Sequence, residues 1–163
     1  MVKLLRTKND LPEQTRAEVV KLLNQRLAEA VDLQTQCKQA HWNVKGETFI
    51  ALHELFDKVN EDVEEYVDLI AERAVQLGGI VEGTVRMVAK RSVVPEYGAQ
   101  GESSREHVDA LSNALAAFGK LMRMGIDAAD ALKDADTADI FTEISRGVDK
   151  WLWMVEAHLP PAH

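Results

Sequence analysis

Apolar residues return along this chain every three or four positions, in four long stretches. In the first, Val20, Leu23, Leu27, Ala30 and Val31 form a stripe, the spacing of one face of an α-helix. Asn9 or Asp10 is placed to cap this helix and Pro12 falls near its first turn. It should run to about Ala40, before a turn at Asn43–Gly46. The second stretch starts near Glu47 and ends at Gly78-Gly79, a C-cap signal. It carries Phe49, Leu52, Leu55, Phe56, Val59, Val63, Val67, Ile70 and Val75 in helical period. The third begins at Ser103 or Ser104, where Ser103 and Glu106 make a capping box, and continues through Val108, Leu111, Leu115, Phe118 and Met122. The fourth begins at Asp136-Thr137-Ala138-Asp139, carries Ile140, Ile144, Val148, Trp151 and Val155, and stops at Pro160-Pro161.

The period lapses from Ile80 to Gly101. Within that segment Thr84–Lys90 suits a short helix, and Val93-Val94-Pro95 reads as extended. A connection of roughly 24 residues argues against an up-and-down bundle, whose loops are short. The expected fold is therefore all-α: a ferritin-like four-helix bundle with one crossover, and a short extra helix in that crossover between the second and third helices. The corresponding organisation is an N-terminal extension over residues 1–10, the bundle over 11–158 and a short tail over 159–163.

Composition fits this picture. The 163 residues suit one domain able to bury a full core. Apolar residues make up 46 % and charged residues 28 %, with only four prolines and nine glycines, a balance that favours helix. The single cysteine, Cys37, excludes an internal disulfide and a cysteine-based metal cluster. It reads as a small core residue in a reducing compartment. No apolar run has secretory or transmembrane length, so the expectation is a cytoplasmic protein without a membrane partner, nucleoid association being left open. The net charge of −8 speaks against a general nucleic-acid binder, leaves room for a local basic arm, and suits a protein that attracts cations.

The candidate chemistry lies between Gln39 and Glu72. His41 is followed twelve residues later by His53, then Asp57 four further on, Asp68 after eleven more and Glu72 after another four. Two histidines and three carboxylates suit a first-row metal at the iron end of the series. Residues four apart on a helix face the same way, so His53 with Asp57 is one two-point grip and Asp68 with Glu72 another. Asp57 and Asp68 point in nearly the same direction but lie roughly 16 Å apart along the axis, far beyond the reach of metal–ligand bonds of about 2 Å. One chain cannot close both grips on one ion. A second, antiparallel copy of the helix, related by a two-fold axis near its midpoint, would bring His53 and Asp57 of one chain against Asp68 and Glu72 of the other and create two identical sites. His41, at the far end of the first helix, is available to complete the histidine side. Taken singly, each pair also has a bland reading as solvated helix surface. None of the five histidines has a glutamate three residues before it, so the usual intra-bundle di-iron motif is absent.

With these residues assembled, the chain closely resembles the Dps family, the mini-ferritins named for DNA protection during starvation. The resemblance rests on Ala40-His41-Trp42-Asn43-Val44, Phe49, His53, Phe56, Asp57 and Asp68, then on Ile70 through Gly79. Asp136-Thr137-Ala138-Asp139-Ile140 and Asp149-Lys150-Trp151-Leu152-Trp153 extend it. It covers about Asn9 to Glu156 and is specific around both ligand clusters. It implies a homo-oligomer: a hollow, twelve-subunit shell of tetrahedral symmetry. It also implies two-iron ferroxidase centres at the two-fold interfaces, oxidation of Fe(II) preferentially by hydrogen peroxide, and storage of the ferric mineral. By that resemblance His41, His53 and Asp57 come from one subunit and Asp68 and Glu72 from its partner.

For Trp42 the resemblance implies an electron donor beside the centre; on the residues alone it is equally an aromatic packed at a helix end. Trp153 is expected in the core. Acidic residues concentrate around the turn between the third and fourth long helices: Asp127, Asp130, Asp134, Asp136, Asp139 and Glu143. The resemblance makes this turn the lining of a three-fold iron-entry pore, with Asp139 and Asp134 as candidate ligands, whereas helix capping explains part of the cluster without any metal. Glu54, Glu61 and Glu65 are either mineral-nucleating or simply solvated, and Lys58 interrupts their face. DNA binding is expected to be weak or absent, because Lys3, Arg6 and Lys8 are the only cations before the first helix. Two other classes compete with the iron reading: a DNA-compacting structural protein with secondary iron chemistry, and a helical metal buffer without redox turnover.

Overall fold

The computed structural model describes residues 3–99, 101 and 103–159. Five helices follow in order: α1 (Glu13–Asn43), α2 (Phe49–Gln76), α3 (Val85–Arg91), α4 (Ser104–Ala131) and α5 (Ala135–Glu156). No strand occurs among the described residues. The four long helices form the bundle and α3 is the short helix of the crossover. α1 packs on α2 and α4, α5 packs on α4 and α2, and α3 lies on α1. Leu23, Leu27 and Leu33 of α1, Phe56 and Ile70 of α2, Leu111, Leu115 and Phe118 of α4, and Phe141 and Ile144 of α5 meet in one core. Full burial of each such side chain contributes about 1.5–3 kcal/mol.

The helix ends refine the sequence expectations. α1 is not capped by Asn9 or Asp10; Asn9 Oδ1 instead accepts from the Leu11 N–H at 3.0 Å. Pro12 holds the N-cap position without a side-chain cap. At the other end α1 runs to Asn43, so His41 and Trp42 belong to its last turn. Ser103 caps α4 by accepting from the Glu106 N–H. α5 begins at Ala135, one residue before Asp136, because Asp134 supplies the cap to Thr137. It ends at Glu156, and Pro160-Pro161 lie outside the described residues.

Gly78 shows why a glycine stands after α2. Its φ is +83°, and a Cβ there would come within 2.5 Å of the Leu5 carbonyl oxygen. The close approach is a bond: the Leu5 N–H donates to the Gly78 carbonyl at 2.7 Å. Arg16 adds a bond from Nη1 to the Leu77 carbonyl at 3.0 Å. The segment before α1 is thus fastened against the end of α2.

A polar stripe on α1, not apparent from its apolar period, holds the crossover. Asn24 bonds both the Ile80 carbonyl and the Glu82 N–H. Gln25 donates to the Arg91 carbonyl, Gln36 donates to the Pro95 carbonyl, and Asp32 accepts from Ser92 Oγ. A crossover outside any long helix has backbone groups that would otherwise be buried unpaired. On its other side Tyr97 joins α4 through a 2.6 Å bond between its hydroxyl and His107 Nδ1.

Trp153 departs from expectation. It is 66 % exposed, while Trp151 takes the core place at 7 %; two residues on a helix differ by about 200° in direction, so only one of the pair can face the bundle. Trp151 Nε1 donates to Asp62 Oδ2 at 2.7 Å.

The head of α5 carries a buried ion pair. Asp134 Oδ1 accepts from Arg73 Nη2 at 2.7 Å, and Arg73 Nε donates to Thr137 Oγ1 at 3.0 Å. Asp134→Ala removes the buried counter-ion of the guanidinium, leaves it only the exposed Asp136 carboxylate at 3.6 Å, and removes the cap; it should cost about 3 kcal/mol. Urea unfolding should show that loss, and Arg73→Met in the same chain should recover most of it, since both charges are then gone.

Candidate metal centre

The turn between α1 and α2 brings His41 and His53 face to face. Their rings stack with centroids 3.7 Å apart and planes inclined by 21°. Each ring is tied to the other residue's backbone: His41 Nδ1 lies 2.8 Å from the His53 carbonyl oxygen, and His53 Nδ1 2.9 Å from the His41 carbonyl oxygen. A carbonyl only accepts, so both Nδ1 atoms carry the proton. In the neutral ring Nε2 is then bare and able to ligate. The same bond to a histidine's second nitrogen is what orients imidazoles at metal sites. The local reason is the end of α1: the His41 carbonyl belongs to the last turn, whose carbonyls lack helical partners. The Phe49 ring lies 5.0 Å from the His53 ring, centroid to centroid.

Asp57 follows His53 by about one turn. Lys38 Nζ bonds its Oδ1 at 2.6 Å, and His41 Nδ1 is 3.8 Å from the same oxygen. The Lys38 bond holds the carboxyl below its ordinary 3.8, helped by the charge fields of His41, Lys38 and His53 and opposed by its partial burial. Lys38 was not foreseen, although it sits three residues before His41 on the same helix and so shares its face. Lys38 occupies this oxygen, so any metal bound there would have to displace it.

Asp68 and Glu72 lie further along α2, exposed to solvent. Neither makes an ion pair among the described residues. α2 is unbroken from Phe49 to Gln76, so the two grips stay on one face at the spacing of a regular helix. Among the described residues of one chain, no three His, Cys, Asp or Glu side chains converge to hold a metal ion.

The remaining candidates separate clearly. Trp42 is 68 % exposed at the end of α1. Asp134 is buried, with both oxygens bonded: Oδ1 to Arg73 and the Thr137 N–H, Oδ2 to Thr137 Oγ1. It works as a cap and counter-ion and has no oxygen turned to solvent, so the structure gives it no place in a pore lining. Asp139, like Asp127, Asp130, Asp136 and Glu143, is exposed. Glu54, Glu61 and Glu65 are exposed as well. Cys37 is buried, and that burial pushes its thiol up to about 12, which makes it inert.

A ferritin-like domain family matches residues 20–160. A DNA protection during starvation protein of Agrobacterium fabrum is 42 % identical over 158 residues, covering 97 % of this chain and 98 % of the relative. The chain belongs to the Dps family of ferritin-like proteins. Among solved structures, a Mycobacterium smegmatis Dps superposes with a TM-score of 0.91 at 29 % identity, over 98 % of this chain and 96 % of the other. A Streptomyces coelicolor Dps, DpsA14, gives 0.92 at 28 % identity, over 99 % and 95 %. The Dps-family assignment accounts for the ferritin-like bundle, its single crossover and the extra helix within it.

The sign of the Asp57 shift gives a test. A lowered folded-state value means that the Lys38 pair contributes fully above 3.8 and is lost as the pH falls through the lowered value. Lys38→Met should move the Asp57 transition back up. Removing the competing cation should also tighten Co(II) binding about two- to five-fold near neutral pH, the scale of a partly exposed ion pair. Titration calorimetry across pH reads both effects; unchanged Co(II) affinity would mean that Lys38 does not compete for the site.

Proposed function

We propose that this Dps-family mini-ferritin oxidises Fe(II), preferentially with hydrogen peroxide, at centres shared between two subunits, and stores the ferric product inside a twelve-subunit cytoplasmic shell. The observation that carries this reading is the pair His41 and His53, each held with Nε2 bare, one helical turn from an ionised Asp57. Asp68 and Glu72 stand exposed and unpaired on the same face of α2. Two copies of α2, antiparallel about a two-fold axis, complete each grip with the other. His41, His53 and Asp57 then serve from one chain and Asp68 and Glu72 from its partner.

Iron is here the substrate. The imidazoles suit Fe(II), and the carboxylates stabilise the harder Fe(III) product. One Fe(II) acting alone delivers a single electron to peroxide and releases hydroxyl radical. Two Fe(II) at one centre deliver two electrons, the O–O bond breaks, and with two protons the products are two Fe(III) and two waters. The protein's own contribution is geometric: it fixes the tautomers and presents carboxylates from a rigid helix. Trp42 would donate an electron to a stray oxidant, and its exposure next to His41 in the chain supports that role. Exposed Asp139, near the head of α5, is the candidate that remains for drawing Fe(II) inward.

The cross-chain assignment is open to complementation. His53→Ala and Asp57→Ala should each slow peroxide-driven oxidation by at least about 100-fold, since even outer contacts to a metal site are worth 10–100-fold, while the shell still assembles. Shells mixed from Asp57→Ala and Asp68→Ala subunits place both losses in one centre of a pair and leave the other whole. Activity should therefore return, consuming about two Fe(II) per peroxide. No recovery under conditions of proven subunit exchange would refute the shared centre.

Weak DNA binding is supported by the fastened N-terminal segment. Lys3, Arg6 and Lys8 are exposed, but the bond from Leu5 to Gly78 holds this short segment against the end of α2, which favours a surface patch over a mobile basic arm. Non-specific affinity depends on cations reaching phosphates, and the net charge of −8 per chain repels the rest of the duplex. Plasmid gel shifts at pH 7.5 without divalent ions should show no tight retardation. Retardation that disappears on deleting residues 1–8 would show instead that the short arm suffices.

A further inference from the structure

The ligand face of α2 also carries two apolar residues that one chain leaves uncovered. By helical period Ile50 points within about 20° of Asp57, and Val75 points along it. Ile50 is 61 % exposed and Val75 56 %. Val75 is part of a larger feature: with Ala71 and Val81 it lines a surface notch, with Glu72 and Gln76 alongside. Apolar side chains at both ends of an otherwise acidic face have no role in the single chain, where the core lies on the opposite side.

The antiparallel register gives them one. If His53 stands opposite the partner's Glu72 and Asp57 opposite the partner's Asp68, each step outward on one helix is matched by a step outward on the other. Three residues beyond His53 is Ile50, and three beyond Glu72 is Val75. The pairing that assembles the ligands therefore also sets exposed apolar against exposed apolar, at the outer end of each centre. Between the two centres the same register sets Glu61 against the partner's Glu64, both exposed, so that side is acidic and hydrated.

We propose that Ile50 seats in the partner's notch of Ala71, Val75 and Val81 and closes the outer end of each iron centre with an apolar plug. The proposal rests on the shared-centre reading above. Ile50 touches no iron; it is a positioning residue. Seated beside Glu72, it limits the swing of that carboxylate and keeps water from the outer side, and an apolar shell of this kind controls solvent access to a metal site. Iron then exchanges at the acidic side of the centre.

Engineered disulfides test the contact. In a Cys37→Ser background, Ile50→Cys with Val75→Cys and, separately, Glu61→Cys with Glu64→Cys should each give covalent dimers on mild oxidation of the assembled protein, seen on non-reducing gels and reversed by thiol. Cross-linking at the Glu61/Glu64 pair alone would keep the two-fold register and overturn the plug. Cross-linking at neither would overturn both. The sealing role has its own readout. Ile50→Ser, in assembled shells loaded with Co(II), should raise the rate at which a chelator strips the metal by about tenfold, and Ile50→Val should keep release slow. An unchanged stripping rate in Ile50→Ser would overturn the seal even where the disulfide forms.

Discussion

The rigidity of α2 is the constraint on which the rest depends. A regular helix separates Asp57 from Asp68 by roughly 16 Å while pointing both the same way. The helix is unbroken between them and has no proline or glycine at which to bend. One chain therefore cannot bring both carboxylates to one ion; under the proposed shared centre, a symmetric pair of chains would.

The order of the His41–His53 pair comes from the backbone. The reciprocal bonds of His41 and His53 to each other's carbonyls cost the protein little, because the His41 carbonyl ends α1 and would need a partner in any case. In return they fix two tautomers and hold two rings in a stack. Lys38 works in the other direction. It pairs with Asp57 at 2.6 Å and would compete with any ion bound at the same oxygen.

The crossover explains why α1 is less purely amphipathic than its neighbours. Asn24, Gln25, Asp32 and Gln36 give up apolar packing to satisfy the backbone from Ile80 to Pro95. Arg73 and Asp134 fasten the end of α2 to the head of α5 in a similar way. These polar contacts hold the ends and the crossover of the bundle in register, so α2 is fixed against its neighbours by more than apolar burial.

The sequence by itself determined the helices, their order and the crossover, because each amphipathic stripe is written locally in the 3.6-residue period. It also placed His53 with Asp57, and Asp68 with Glu72, one turn apart and the two pairs roughly 16 Å from each other, since these depend only on helix geometry, and it indicated the family through residues clustered around them. Only the tertiary structure decided contacts between residues distant in sequence. The His41–His53 stack, the Lys38–Asp57 pair and the polar stripe of α1 each join separate segments. Trp151 lies on the stripe of Ile144, Val148 and Val155 and Trp153 about 200° from it, so the helical period already ranked the two, and the expectation that Trp153 is core failed against it. Asp134 and Asp139 are alike in the acidic run; Arg73, sixty-one residues before Asp134, turns the first inward and leaves the second at the surface. Local periodicity specifies which face of a helix is apolar, whereas the partner of a charged or polar side chain is set by packing that no local pattern encodes.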